Sequence, residues 1–124
     1  MATERRDLQQ LIGQQLVAVT NESDERIVFT LADGRQYGLW HDQDCCESVR
    51  VEEVWGDLGR LAGTVLFADE VTHDGSGGDG YGDTATWTFY RIATEREFVT
   101  IRWYGTSNGY YSERVTFGPL QEVA

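Results

Sequence analysis

The sequence predicts an α+β domain made mainly of antiparallel β-sheet, with six or seven strands and one or two short helices. Three observations carry that prediction. Apolar residues recur with a period of two over most of the chain. Hairpin-type turns (NESD, ADGR, ATER and TSNG) separate the alternating runs. Helical spacing is confined to two short stretches, without the strand–helix alternation that a parallel sheet needs.

The elements follow in order. DLQQLIGQQL (7–16) sets Leu8, Leu11, Ile12 and Leu16 at helical spacing behind Asp7, a residue suited to an N-cap, and predicts a short amphipathic helix. LVAVT (16–20) and ERIVFTL (25–31) predict strands around NESD, and ADGR (32–35) carries an Asp-Gly hairpin signal into RQYGLWHD (35–42). SVRVEEVW (48–55) alternates through Val49 and Val51, slips at Glu53 and resumes at Val54. GDLGRLAG (56–63) predicts a helical turn stopped by Gly63, and TVLFADEVT (64–72) another strand. HDGSGGDGYGD (73–83) has five glycines in eleven residues and predicts a flexible loop. No GK[ST] and no helix follow it, which argues against a phosphate cradle, and Asp74, Asp79 and Asp83 miss the EF-hand spacing. TATWTFYRIA (84–93), REFVTIRWYG (96–105) and YYSERVTFG (110–118) predict three strands joined by ATER and TSNG.

A chain of 124 residues predicts a single domain over 1–124, and 40% hydrophobic residues with four Trp, six Tyr and five Phe exclude a disordered one. The net charge of −11 argues against binding duplex nucleic acid, which needs a basic face. It leaves room for a small anionic ligand in a locally basic pocket. All ten basic residues are arginine, so Schiff-base chemistry and the lysine of a phosphate loop are excluded. No run approaches the roughly 20 apolar residues of a membrane span, and MATERRDLQQ lacks an apolar leader core. The expectation is a cytoplasmic protein with Cys45 and Cys46 as reduced thiols.

HDQDCCESV (41–49) raises the question of metal or thiol chemistry. Zinc favours cysteines spaced by two to four residues, and here two are adjacent, with only His41 and His73 to add. The surrounding carboxylates disfavour a thiolate nucleophile. A bend between strands, with Asp42 or Asp44 bonding backbone amides and one cysteine packed as a small apolar group, is the better expectation. Ser48, Ser76, Ser107 and Ser112 sit in no nucleophile elbow. An enzyme is unsupported by these residues, which assign no catalytic residue, metal or cofactor.

In the strand REFVTIRWYG, Val99, Ile101 and Trp103 form a core stripe, while Phe98, Thr100, Arg102 and Tyr104 share the other face. Two aromatics flanking an arginine suit a flat base stacked on a ring, with Arg102 pairing a phosphate. Asn108 in the following turn suits a base edge or sugar hydroxyl, and Tyr110, Tyr111 and Arg114 are placed to close the surface. The same pattern also suits ordinary cross-strand packing of aromatics, and the two readings stand side by side here.

HDQDCCESV (41–49), ATWTFYRIAT (85–94) and IRWYGTSNGYYSE (101–113), in this order, resemble a set of short phage and prophage proteins. Through Phe98 and Asn108 in the strand–turn segment the chain also resembles the first-described family of phage sponge proteins that counter Thoeris immunity. That resemblance implies no catalysis. It implies a phage-encoded protein of the host cytoplasm that assembles as dimers or higher homo-oligomers. Such a protein sequesters a cyclic nucleotide immune signal of the cyclic ADP-ribose type, and in some members cyclic oligonucleotides. Phe98, Arg102, Tyr104, Asn108, Tyr110 and Arg114 are the expected ligand-binding residues, with Arg50 or Arg91 next. The alternative is an acidic phage protein that inhibits a host protein by direct binding or by mimicking DNA.

Overall fold

The computed structural model describes residues 7–43, 46–76, 84–107 and 113–120. Within them the period of two resolves into eight strands: β1 (Gln15–Glu22), β2 (Arg26–Leu31), β3 (Gln36–Trp40), β4 (Ser48–Trp55), β5 (Gly63–Ser76), β6 (Thr84–Thr94), β7 (Phe98–Ser107) and β8 (Thr116–Pro119). They form one antiparallel sheet in the order β4-β7-β6-β5-β1-β2-β3-β8. The slip expected at Glu53 is a β-bulge, where the register against β7 shifts between Val51 and Glu53.

The helical part of the α+β expectation is corrected. Both helical stretches are short 3₁₀ turns, Leu8–Leu11 and Leu58–Arg60. Asp7 does cap the first, its carboxylate accepting from the Gln9 amide at 3.1 Å. The turn stops because Gly13 takes φ +89° and donates its amide to the Val65 carbonyl at 2.8 Å, while the Val65 amide donates to the Gln14 carbonyl at 2.9 Å. The chain is thereby drawn onto β5 before a second turn forms. Leu8 and Leu11 still reach the core, whereas Ile12 is exposed.

Two further expectations change. The strand over 64–72 continues to Ser76, so residues 73–76 of the expected Gly-rich loop are strand, and 77–83 lie outside the described residues. The final strand covers only Thr116–Pro119 and pairs with β3 at the far edge, not with β7. NESD begins a tight three-residue connection over 23–25, with Ser23 and Asp24 at φ 55° and 60° and the Glu25 amide donating to the Glu22 carbonyl at 3.0 Å. Asn21 steadies it by accepting from the Asp24 amide at 2.9 Å.

The sheet has two parts, β4-β7-β6-β5 and β1-β2-β3-β8, joined where β1 meets β5 through only Gln15–Thr64 and Leu16–Gly63. Both parts feed one core. Leu16, Ile27, Phe29, Leu39 and Phe117 come from one, and Val65, Tyr90, Ile92, Val99, Ile101 and Trp103 from the other, with Leu8, Leu11 and Leu61 from the 3₁₀ segments. Burying each of these larger side chains contributes about 1.5–3 kcal/mol. The opposite face of β4-β7-β6-β5 carries the residues left out of the core.

Candidate functional site

Cross-strand register sets that outer face out in rows. One row runs Arg50–Tyr104–Trp87–His73 across β4, β7, β6 and β5. The Tyr104 and Trp87 ring centroids are 5.1 Å apart, and Trp87 and His73 6.1 Å. Trp87 also packs over Gly75, where a Cβ would stand 3.0 Å from the indole. The next row holds Glu53, Arg102, Phe89 and Val71, and the one beyond it Trp55, Thr100, Arg91 and Asp69. Phe98, Ala93 and Phe67 close the face, the two phenyl rings stacked at 6.3 Å. Trp55, Leu66, Phe67, Val71 and Phe98 are all exposed here, Phe98 by 52%.

The charges on this face balance. Arg102 Nε lies 2.7 Å from Glu52, an ion pair by distance in which the N–H does not point along the contact, and its Nη2 lies 3.7 Å from Glu53. The Arg102 guanidinium also lies over the Trp55 ring at 5.0 Å. Arg91 is held by Asp69 through Nε at 2.9 Å and through Nη2, which raises its pKa. Arg50 carries no ion pair among the described residues. Arg50, Arg91 and Arg102 thus face Glu52, Glu53 and Asp69, a neutral aromatic surface on a chain of net charge −11.

The expected ligand residues are divided by this geometry. Phe98, Arg102 and Tyr104 share the outer face, but Phe98 and Tyr104 lie six residues apart, about 20 Å along a strand, too far for one small ligand to touch both. Arg102 is engaged by two carboxylates, so a phosphate has to compete for it. Arg114 follows β7 on the route to β8 and lines a cavity on the core side of β5 and β6, away from Arg102. Asn108, Tyr110 and Tyr111 lie outside the described residues. Trp87 and Trp55 complete the face, and their place beside Tyr104 and Arg102 depends on register between strands, which the sequence does not carry.

Glu113, next to Arg114, accepts from the hydroxyls of Ser107 at 2.6 Å, Thr84 at 2.5 Å and Thr86 at 2.7 Å. Burial pushes its pKa up, but these donors and the Ser107 backbone outweigh burial and hold it below the ordinary value of 4.5. A carboxyl depressed by folding contributes stability above the unfolded-state pKa and loses it as pH falls through the folded value. Glu113→Gln is therefore expected to flatten the loss of stability below pH 4.5, read from denaturant midpoints across an acid series.

HDQDCCESV does form a bend, held by different contacts from those expected. His41 Nδ1 lies 2.7 Å from the Arg114 carbonyl and Nε2 lies 2.8 Å from Glu47, with both side chains buried. A carbonyl accepts only, so Nδ1 donates, and Nε2 pairs with the Glu47 carboxyl. Gln43 donates to the Glu47 carbonyl at 2.7 Å, and Asp42 accepts from the Trp40 indole, not from a backbone amide. Cys46 is exposed and disulfide-bonded, not a reduced thiol packed in the core; Cys45 and Asp44 lie outside the described residues. His73 lies tilted against Trp87, so the two histidines serve separate contacts.

Residues 9–117 match the model of a family described as a domain of unknown function (DUF7448). No curated protein and no solved structure matches the chain.

Proposed function

We propose that the chain, which belongs to the DUF7448 family, is a non-catalytic binder that sequesters a cyclic nucleotide signal on the outer face of β4-β7-β6-β5. The supporting observation is the Arg50–Tyr104–Trp87–His73 row, in which adjacent rings stand beside an arginine without an ion pair. Stacking a base on such a ring is worth about 1–3 kcal/mol. Nanomolar capture needs about 12 kcal/mol, so further walls, from a second copy or from residues 108–112, belong to the proposal. The resemblance to phage sponge proteins directs the choice of ligand to cyclic ADP-ribose isomers and cyclic oligonucleotides. In this reading the protein is phage-encoded, works in the host cytoplasm and assembles as a homo-oligomer.

The test is calorimetry of the whole chain with cyclic ADP-ribose isomers and with cyclic di- and trinucleotides. Saturable binding of one of them is expected, weakened about 10–100-fold by Trp87→Ala or Tyr104→Ala. Absence of binding to all of them at high protein concentration overturns the reading.

A second reading rests on the exposed Leu66, Phe67 and Val71 beside that row and on the net charge. There the chain inhibits a host protein by direct contact or duplex mimicry. It predicts a stoichiometric complex with a host nuclease or polymerase that survives gel filtration, and no nucleotide affinity.

A further inference from the structure

We propose that the core-side cavity between β5, β6 and the segment 113–115 is a binding site for a linear organic polycation, an aliphatic chain bearing separated ammonium groups. The cavity has a volume of about 610 Å³, within the range of small-molecule sites. Among the described residues, Glu70, Asp74 and Glu113 line it together with one arginine, Arg114. The hydroxyls of Thr84, Thr86 and Ser107 donate to the Glu113 carboxylate, and the Thr86 oxygen, whose one hydrogen goes to Glu113 at 2.7 Å, lies 3.2 Å from Asp74.

The second observation is Tyr90. The residue is fully buried, it lines the cavity, and its hydroxyl lacks a hydrogen-bond partner. Burial, with the Glu70 carboxylate nearby but outside bonding geometry, raises its pKa and keeps it neutral. An unsatisfied buried hydroxyl costs about 1–3 kcal/mol, which a ligand bearing N–H groups relieves.

Spacing selects the ligand class. Glu70 and Asp74 lie on the same side of β5 four residues apart, about 13 Å along the strand. Among the described residues no three His, Cys, Asp or Glu converge to hold a metal ion. One point charge therefore cannot meet these carboxylates together, whereas amines joined by methylenes can. Gly75, Ala85 and Val115 complete the lining with surface suited to the methylenes.

The experiment is calorimetry of the whole chain with spermidine and with putrescine, run beside magnesium chloride at about 0.1 M salt to screen diffuse attraction. Spermidine is expected to bind saturably at one site, putrescine more weakly, and magnesium without a saturable signal. Glu113→Gln and Asp74→Asn should each weaken spermidine about tenfold or more, whereas Glu25→Gln, an equal charge change at the β1–β2 turn, leaves affinity unchanged. If Glu113→Gln fails to fold, Asp74→Asn at its exposed position carries the same comparison. Absence of saturable spermidine binding overturns the proposal, as does equal weakening by Glu25→Gln or displacement by magnesium.

Discussion

Replacing Glu47 with alanine is expected to cost about 3–5 kcal/mol, a large share of the stability of a domain this size. The variant leaves Nε2 of the buried His41 without its partner, while the Arg114 carbonyl still takes the Nδ1–H. Glu47→Gln separates charge from hydrogen bonding. A glutamine amide donates to Nε2 of a neutral ring whose Nδ1–H still bonds Arg114, so this variant should lose only about 1 kcal/mol. Urea denaturation of both variants at pH 7 checks the pair. A similar loss in the two would show that the buried charge, not the bonded geometry, holds the bend to the 113–115 segment.

Gly56→Ala is expected to cost about 2–4 kcal/mol through backbone strain added to overpacking. Gly56 takes φ +99°, outside the ordinary range of a residue with a Cβ, and an added Cβ would stand 2.5 Å from the Phe98 carbonyl oxygen and 3.0 Å from Val99. Neither the backbone nor the fully buried Val99 moves cheaply. Gly34→Ala is the control. It has a similar φ of +92° but open space around the Cβ position, so it reports the conformational part alone. Thermal unfolding of the pair separates strain from collision, with Gly56→Ala predicted to fall further.

The strands were legible because one face of each is buried, which imposes the period of two. SVRVEEVW matches β4 to the residue, and its slip at Glu53 is the bulge. The N-terminal segment misled because Leu8, Leu11, Ile12 and Leu16 fit a helix, whereas Gly13 and Gln14 are claimed by Val65, fifty residues away. Local spacing carries no trace of that partner. The same limit governs the candidate site. Phe98, Arg102 and Tyr104 were correctly placed on one face, yet which of them share neighbours follows from Trp87, Trp55, Glu52 and Glu53 on other strands. Arg114 is near them in sequence but lines the core-side cavity with Tyr90 and Val115, just before β8 pairs with β3.

The two ends of the sheet bear on aggregation. Among the described residues the sheet ends at β4 and β8, and a bare sheet edge is a template onto which another chain can add a strand. Here both are spoiled. The β8 border is four residues long and ends in Pro119, which has no amide hydrogen to offer. The β4 border is bent by its bulge, bears Arg50, Glu52 and Glu53, and has its Val51 amide already donated to the Asp24 carbonyl at 2.8 Å. Growth into a fibre by edge pairing is thereby discouraged in a chain that is mostly strand. The neutral aromatic face, by contrast, presents side chains and no row of backbone donors and acceptors to extend.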